Sequence, residues 1–506
     1  MTMRITFLIP GRQNKLLFLF PTLLILTFGP AVEYFIYAQE EGGQEGEEEK
    51  NIPDVNISIG GETPNTWDPN LKVEVIAEGL EFPTTIAFLG PDDILVLEKE
   101  KGTVQRIVNG NILPEPLLDV NVATSQERCM CGIAISKNFI PGHTYVFLYY
   151  TETELSDGED VNEGKSPVGN RLYRYELVNN KLVNPKLLLD LPATPGPRHN
   201  GGAISIGLDN NLYIPIGDVD GSHKGGNGET QTQNYPNGVE PDGRSGILRI
   251  TLDGQPVPNG GIIGQENPLD LYYAYGIRNS FGIDFDPVTG KLWDTENGPG
   301  YGDEINLVEP GFNSGWVQIQ GMSSNNNNGG SDPFNLVSFD GSGKYNDPEF
   351  VWSQTLGPTA IKFLSSDKLG AQYQNDIFVG SIVTGRIYHF DLNEDRTELI
   401  LTGELEDKVA EIRETGEEDI VFAEGFAGVS DLEVGPDDGY LYVVSLGQGK
   451  IFRIIPGALD TAAPALAIEE TSQGGEENEE IEQDPISVED EEEQEDDESE
   501  ENGNED

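Results

Sequence analysis

Cysteine is nearly missing from this chain of 506 residues: Cys129 and Cys131 are the only two, one residue apart in QERCMCGIAISKNF. A ring closed between them would be strained, so free thiols, half-buried at the start of a strand, are the expected state. With no other Cys or His close by in sequence, a metal site there is the weakest option. Basic residues are scarce as well: 30 Lys and Arg stand against 89 Asp and Glu, a formal net charge of −59. That balance lacks the basic footprint of a nucleic-acid binder and suits cation binding or solubility in a salty exterior. Helical periodicity is nearly absent, and 61 Gly with 32 Pro point to a turn-dense all-β chain.

Long apolar runs are limited to one, Leu16 to Val32, broken by Pro21 and Pro30. It follows Arg4, Arg12 and Lys15 and precedes Ile36, Tyr37 and Ala38, so residues 1–38 read as an export signal, with an uncleaved membrane anchor as the competing reading. Either way the bulk of the chain is expected outside the cytoplasm, secreted or on the outer face of the membrane. Residues 39–69 read as an acidic spacer, and residues 458–506 as an acidic disordered tail. From Glu469 to Asp506 the tail holds 21 acidic residues and no Lys or Arg.

Between the ends, one pattern recurs six times: a turn, a short apolar strand, a polar turn, a second strand and often a third. The copies start at Thr84, Cys131, Gly201, Ser280, Gly357 and Gly428. Units of this kind are expected of a six-bladed β-propeller of four-stranded antiparallel blades spanning residues 70–457, with Lys72 to Ile76 closing the ring against the last blade. Three long insertions, Glu152 to Gly169, Val219 to Ser245 and Met322 to Asn346, leave the pattern between strands, where function on a rigid ring is usually carried.

RHNGGAISIGLDNNLYIPIGD sets His199 and Asp218 at the two ends of a predicted hairpin, whose strands Ala203 to Ile206 and Leu212 to Ile216 turn at Asp209, Asn210 and Asn211. On spacing alone the two read as a surface loop histidine and a turn aspartate, and other parts of the chain shift that reading. Further on, Arg278 and Asn279 precede a strand, while Asn297, Gly298, Pro299, Asp303 and Glu304 follow the next one. A Gly-Pro turn with carboxylates close by offers hard oxygen ligands that suit Ca²⁺ better than zinc, or is a solvated loop.

With CGIAISKNF, the His199 to Asp218 stretch, YGIRN, NGPGYGDEINL, NSGW and SDLEVGPDDGYLYV in phase, residues 70–457 resemble the glucose/sorbosone dehydrogenase family. The resemblance implies a propeller that binds pyrroloquinoline quinone (PQQ) and Ca²⁺ at one mouth and oxidises the anomeric carbon of an aldose to a lactone, passing electrons to an external acceptor. It further implies that His199 is the general base, that Asp218 orients it, and that Arg278 and Asn279 face the quinone oxygens. Gly298 and Pro299 would give carbonyls to the cofactor Ca²⁺ beside Asn297, which stands where the family's glucose enzyme has glutamine. Glu304 and the Ser314 carbonyl match a second, structural Ca²⁺ site. Val383, Gly428 and Ser430, however, occupy the positions of the lysine and two arginines that meet the carboxylates of PQQ; Arg386 is the nearest substitute. A calcium-stabilised binding module without redox activity and a calcium-dependent lactonase-like hydrolase are the rival readings.

Overall fold

The computed structural model describes residues 63–457 apart from 138, 221–228, 326–331 and 412–415. The expected export signal, most of the acidic spacer and the acidic tail lie outside the described residues.

Runs such as Asp93–Glu98, with Ile94 to Leu97 fully buried, and Leu292–Glu296, buried throughout, are apolar or enclosed on both faces. A strand of that kind must be covered on two sides, which sheets packed face to face provide. The architecture is accordingly an all-β propeller. Its strands fall into six sheets, whose leading strands are Pro83–Gly90, Met130–Lys137, Ser205–Ile206, Ser280–Phe285, Pro358–Phe363 and Val429–Val434. Each lies within a few residues of one of the repeat starts in the sequence. The sheets touch in chain order, and the last leading strand returns to touch the first. Large apolar side chains fill the space between neighbours, as where Trp293, Phe350, Trp352, Tyr388 and Phe390 pack between the fourth and fifth sheets. Leu71–Glu78 pairs antiparallel with Lys450–Pro456, so the ring is closed by the N-terminal strand.

Three expectations need correction. The sheets hold four to six strands rather than a uniform four, and some added pairs are parallel: Tyr272–Tyr275 with Phe312–Asn313, and Phe350–Trp352 with Val409–Ala410. Long connections return to lay a short strand along an open edge. The fold also begins before residue 70, since Asn65–Thr66 pairs with Glu424 and Ala423. Finally, Cys129 and Cys131 are joined as a disulfide and not free; an irregularity in register between Met130 and Gly132 accompanies Cα atoms 5.3 Å apart, within bridging range.

Antiparallel pairing sets the start of one strand beside the end of the next. The approach to Met130–Lys137 and the loops after Asn211–Ile216 and Leu292–Glu296 therefore share one end of the ring, and the candidate residues gather there.

Candidate active site

Asp218 follows the strand Asn211–Ile216 and is pinned by its own N–H donating to the Arg278 carbonyl, 2.9 Å. His199 comes from the turn before the hairpin, with its backbone in the left-handed region at φ 60°. Both side chains are buried, and His199 Nδ1 lies 2.6 Å from Asp218 Oδ1. A carboxylate at Nδ1 holds the proton there and leaves Nε2 as the basic nitrogen. The second carboxylate oxygen of Asp218 accepts from Trp316 Nε1 at 2.8 Å. Burial pushes the Asp218 carboxyl up, but the adjoining His199 and Arg278, with the bonds from His199 and Trp316, outweigh it and hold the group well below the usual carboxylate range.

Glu127 completes this arrangement, and sequence reasoning missed it. Its Oε2 accepts the His199 backbone N–H at 2.6 Å and Asn279 Nδ2 at 3.3 Å, tying the approach to the second sheet to the third and fourth. QERCMCGIAISKNF was read for its cysteines and only CGIAISKNF for family likeness, so Glu127 was given no role, and nothing local shows that its carboxylate meets residues 72 and 152 positions away. Trp316 was likewise quoted in NSGW with no partner assigned.

Arg278 donates from Nη1 to the carbonyls of Asn297 (2.8 Å) and Gly298 (3.0 Å), and its guanidinium lies 5.4 Å from the Trp316 ring centre. The Gly298 carbonyl expected at calcium is thus already an acceptor for a cation of the chain. Gly298 N donates to Asp303 Oδ1 at 2.7 Å, and a Cβ there would stand 1.9 Å from the Tyr301 carbonyl, so only glycine fits this turn. Asp303 Oδ2 accepts from Leu356 N and Gly357 N, anchoring the loop to the fifth sheet. Pro299 is exposed at its tip. Asn297 donates through Nδ2 to the Pro358 and Asn279 carbonyls. Asn279 Oδ1 is buried without a hydrogen-bond partner, an acceptor left for a ligand's donor.

Behind this loop lies a cluster of buried acids. Glu296 and Glu304 are cross-strand partners, as are Asp294 and Asn306, and the three carboxylates are almost wholly buried. Ser314 Oγ donates to Glu296 Oε2 (2.6 Å) and Glu304 Oε2 (3.3 Å), while Gln320 Nε2 and Gly321 N reach Glu304 Oε1. Neither oxygen of Asp294 has a hydrogen-bond partner of good geometry, although Ser280 and Asn306 lie beside it. Burial pushes Asp294 up to about 7; burial, reinforced by the Asp294 charge, pushes Glu304 up to about 8. Glu296 rises well above its ordinary value through burial and the charges of Glu304 and Asp294. Three carboxylates buried side by side cannot all be charged without a compensating positive charge. Glu304 and Ser314 were legible in sequence; Asp294 and Glu296, alternate residues of one strand, join them only through strand register.

Arg386 is not where the resemblance needed it. It forms ion pairs with Glu417 (3.2 Å) and Glu424 (3.4 Å) inside the fifth sheet. Val383 does border the loop, since Gly357 lies between it and Asn297. Ser430 Oγ is buried and spent on the Pro83 carbonyl, and Gly428, at φ 77°, abuts Ile382. On the inner strands, Lys362 lies between Asp284 and Glu433, 3.5 and 2.9 Å away, and forms ion pairs with both.

Comparison with known proteins finds that the Glucose / Sorbosone dehydrogenase family matches residues 80–453. The chain is 23% identical over 393 residues to an aldose sugar dehydrogenase of Escherichia coli, covering 76% of this chain and 93% of that one. It is 29% identical over 278 residues to quinoprotein glucose dehydrogenase B of Acinetobacter calcoaceticus, covering 50% and 53%. The fold is shared with the PQQ-bound aldose sugar dehydrogenase of Streptomyces coelicolor, with a TM-score of 0.53 and 22% identity over 78% of this chain and 99% of that one.

Proposed function

We propose that this chain, which belongs to the glucose/sorbosone dehydrogenase family, is an exported, calcium-dependent enzyme that oxidises an aldose at its anomeric carbon to the lactone, each of its six sheets forming one propeller blade. The observation that carries the reading is the buried His199–Asp218 pair, with Nδ1 committed to the carboxylate. His199 Nε2 takes the proton of the anomeric hydroxyl as the carbon–oxygen double bond forms and the hydrogen on carbon leaves as hydride. Asp218 and Trp316 keep the imidazole oriented, and Asp218 stabilises the positive charge it gains. A quinone such as PQQ would supply the hydride acceptor. Arg278, a donor, fits the carbonyl end of such a group, while the spare Asn279 Oδ1, an acceptor, fits a hydroxyl or N–H of a bound ligand. The residues at Val383, Gly428 and Ser430 do not fit its carboxylates in the manner of the family.

Adding PQQ and Ca²⁺ to the protein and following dye reduction with a panel of aldoses tests this. Reduction that requires both additions and a sugar is the expected result; failure of PQQ to bind and of every aldose to react would overturn it. The absent clamp cations favour a second reading, a binding module that keeps the fold and has lost redox chemistry, and that failure would put it ahead.

Two substitutions refine the test. Val383→Lys restores one cation beside the loop and is expected to tighten PQQ binding; a charge-assisted bond contributes about 1.5 to 3 kcal/mol, roughly 10- to 150-fold in affinity. An unchanged affinity in a fluorescence titration would show that Val383 does not border the cofactor. Glu127→Ala removes the acceptor of the His199 N–H and should lower kcat by on the order of tenfold with little change in KM, while Glu127→Gln, which keeps an acceptor oxygen, should recover most of the loss. Equal damage by both variants, or an effect on KM alone, would show that Glu127 does not act by positioning His199.

A further inference from the structure

We propose that Asp376, His389 and Asp391, on the fifth sheet, form a second metal site that takes a divalent transition-metal ion of the zinc class and stands apart from the sugar-oxidising mouth. Strands Ile377–Ser381 and Ile387–Phe390 pair antiparallel, with Ile377 opposite Phe390 and Phe378 opposite His389. Carrying that register one residue further sets Asp376 opposite Asp391, on the same face as His389. Like charges directly opposed across a strand pair destabilise it. Among the described residues neither carboxylate has a Lys or Arg partner; both turn to the same histidine nitrogen.

The three ligand atoms lie within 4.8 Å of one another. His389 Nε2 is 3.0 Å from Asp376 Oδ2 and 3.7 Å from Asp391 Oδ1. Ligands placed at zinc–nitrogen and zinc–oxygen distances around a tetrahedral ion stand roughly 3.3 Å from each other, between the two observed values. An ion could therefore replace the shared contact, the two histidine–carboxylate separations changing by roughly a few tenths of an ångström. The imidazole is fixed by its neighbours, with Tyr373 edge-on at 5.1 Å and Phe378 at 5.0 Å between ring centres. A cavity of about 320 Å³ opens against the same histidine, lined also by Asp68 and Asp419, whose charges would draw a cation in and whose space would hold water ligands. One imidazole and two carboxylates suit Zn²⁺, Mn²⁺ or Co²⁺ better than Ca²⁺, which prefers oxygen alone.

The experiment is a Co²⁺ titration of the full chain held in excess Ca²⁺, followed by displacement with Zn²⁺. Wild-type protein should develop a visible ligand-field band that saturates at one equivalent and vanishes with Zn²⁺. His389→Gln and Asp391→Asn should each lose the band and weaken Zn²⁺ binding at least tenfold in a chelator competition, while the metal-free melting temperature of Asp391→Asn stays at or above that of wild type because one repulsive charge has gone. Absence of the band in wild type, or an identical band and affinity in wild type and both variants, overturns the proposal; the second outcome would assign the binding to scattered surface carboxylates. If His389→Gln does not fold, Asp391→Asn, at an exposed position, decides the matter alone.

Discussion

His199→Gln is expected to lower turnover by roughly 10²- to 10⁴-fold, the contribution of a well-placed general base, while leaving cofactor affinity and melting temperature close to those of wild type. The side chain that replaces imidazole can still donate to Asp218 but has no basic nitrogen to accept the hydroxyl proton. Asp218→Asn should lose less rate and more stability. Its two carboxylate oxygens receive two donors, His199 Nδ1–H and Trp316 Nε1–H, and an asparagine offers only one acceptor oxygen to the pair. The other donor is then buried facing an N–H₂ group, a loss on the order of 1 to 3 kcal/mol. Steady-state kinetics with a saturating aldose, beside thermal melts of both variants, would check the pattern. Retention of more than a tenth of wild-type kcat by His199→Gln would remove His199 as the base, whatever became of Asp218.

The second large effect is expected from calcium. A ligand bound at 100 times its Kd by the native state alone adds about 2.7 kcal/mol of stability, so chelation should lower Tm by several degrees and Ca²⁺ should restore it. The buried acid cluster of Asp294, Glu296 and Glu304 is where we place that dependence. Its metal-free form has a distinct signature. With Asp294 pushed up to about 7 and Glu304 to about 8, the chelated native state binds protons that the unfolded chain, titrating near pH 4, has already released. Stability then falls as pH rises from about 4 to 8, because the native state is the one binding more protons across that window. Calcium, by meeting the charge directly, should flatten the slope. Asp294→Asn removes a buried carboxylate with no partner, so in chelator it should melt at a higher temperature than wild type and gain less from Ca²⁺. A melting curve indifferent to chelator at every pH, in wild type and Glu304→Ala alike, would exclude cation binding at this acid cluster.

Much of the molecule was legible in order along the chain. Turn residues and short apolar runs recur where the six sheets begin, because each sheet is built on a local meander of strands close in sequence. His199 and Asp218 could be paired from sequence for the same reason: a hairpin of short strands brings its own ends together. What required tertiary structure was contact between sheets. Glu127 reaches His199 and Asn279 across 72 and 152 residues, and Arg386 proves committed to Glu417, 31 residues on, in place of a ligand. The gathering of Asp294 with Glu304, and of Asp376 with Asp391, depends on which residue of one strand stands opposite which of the next. Hydrophobic alternation tells which face of a strand is buried. The charge that a buried carboxylate must meet comes instead from elements whose approach is set by packing of the whole ring, and no local run of residues encodes it.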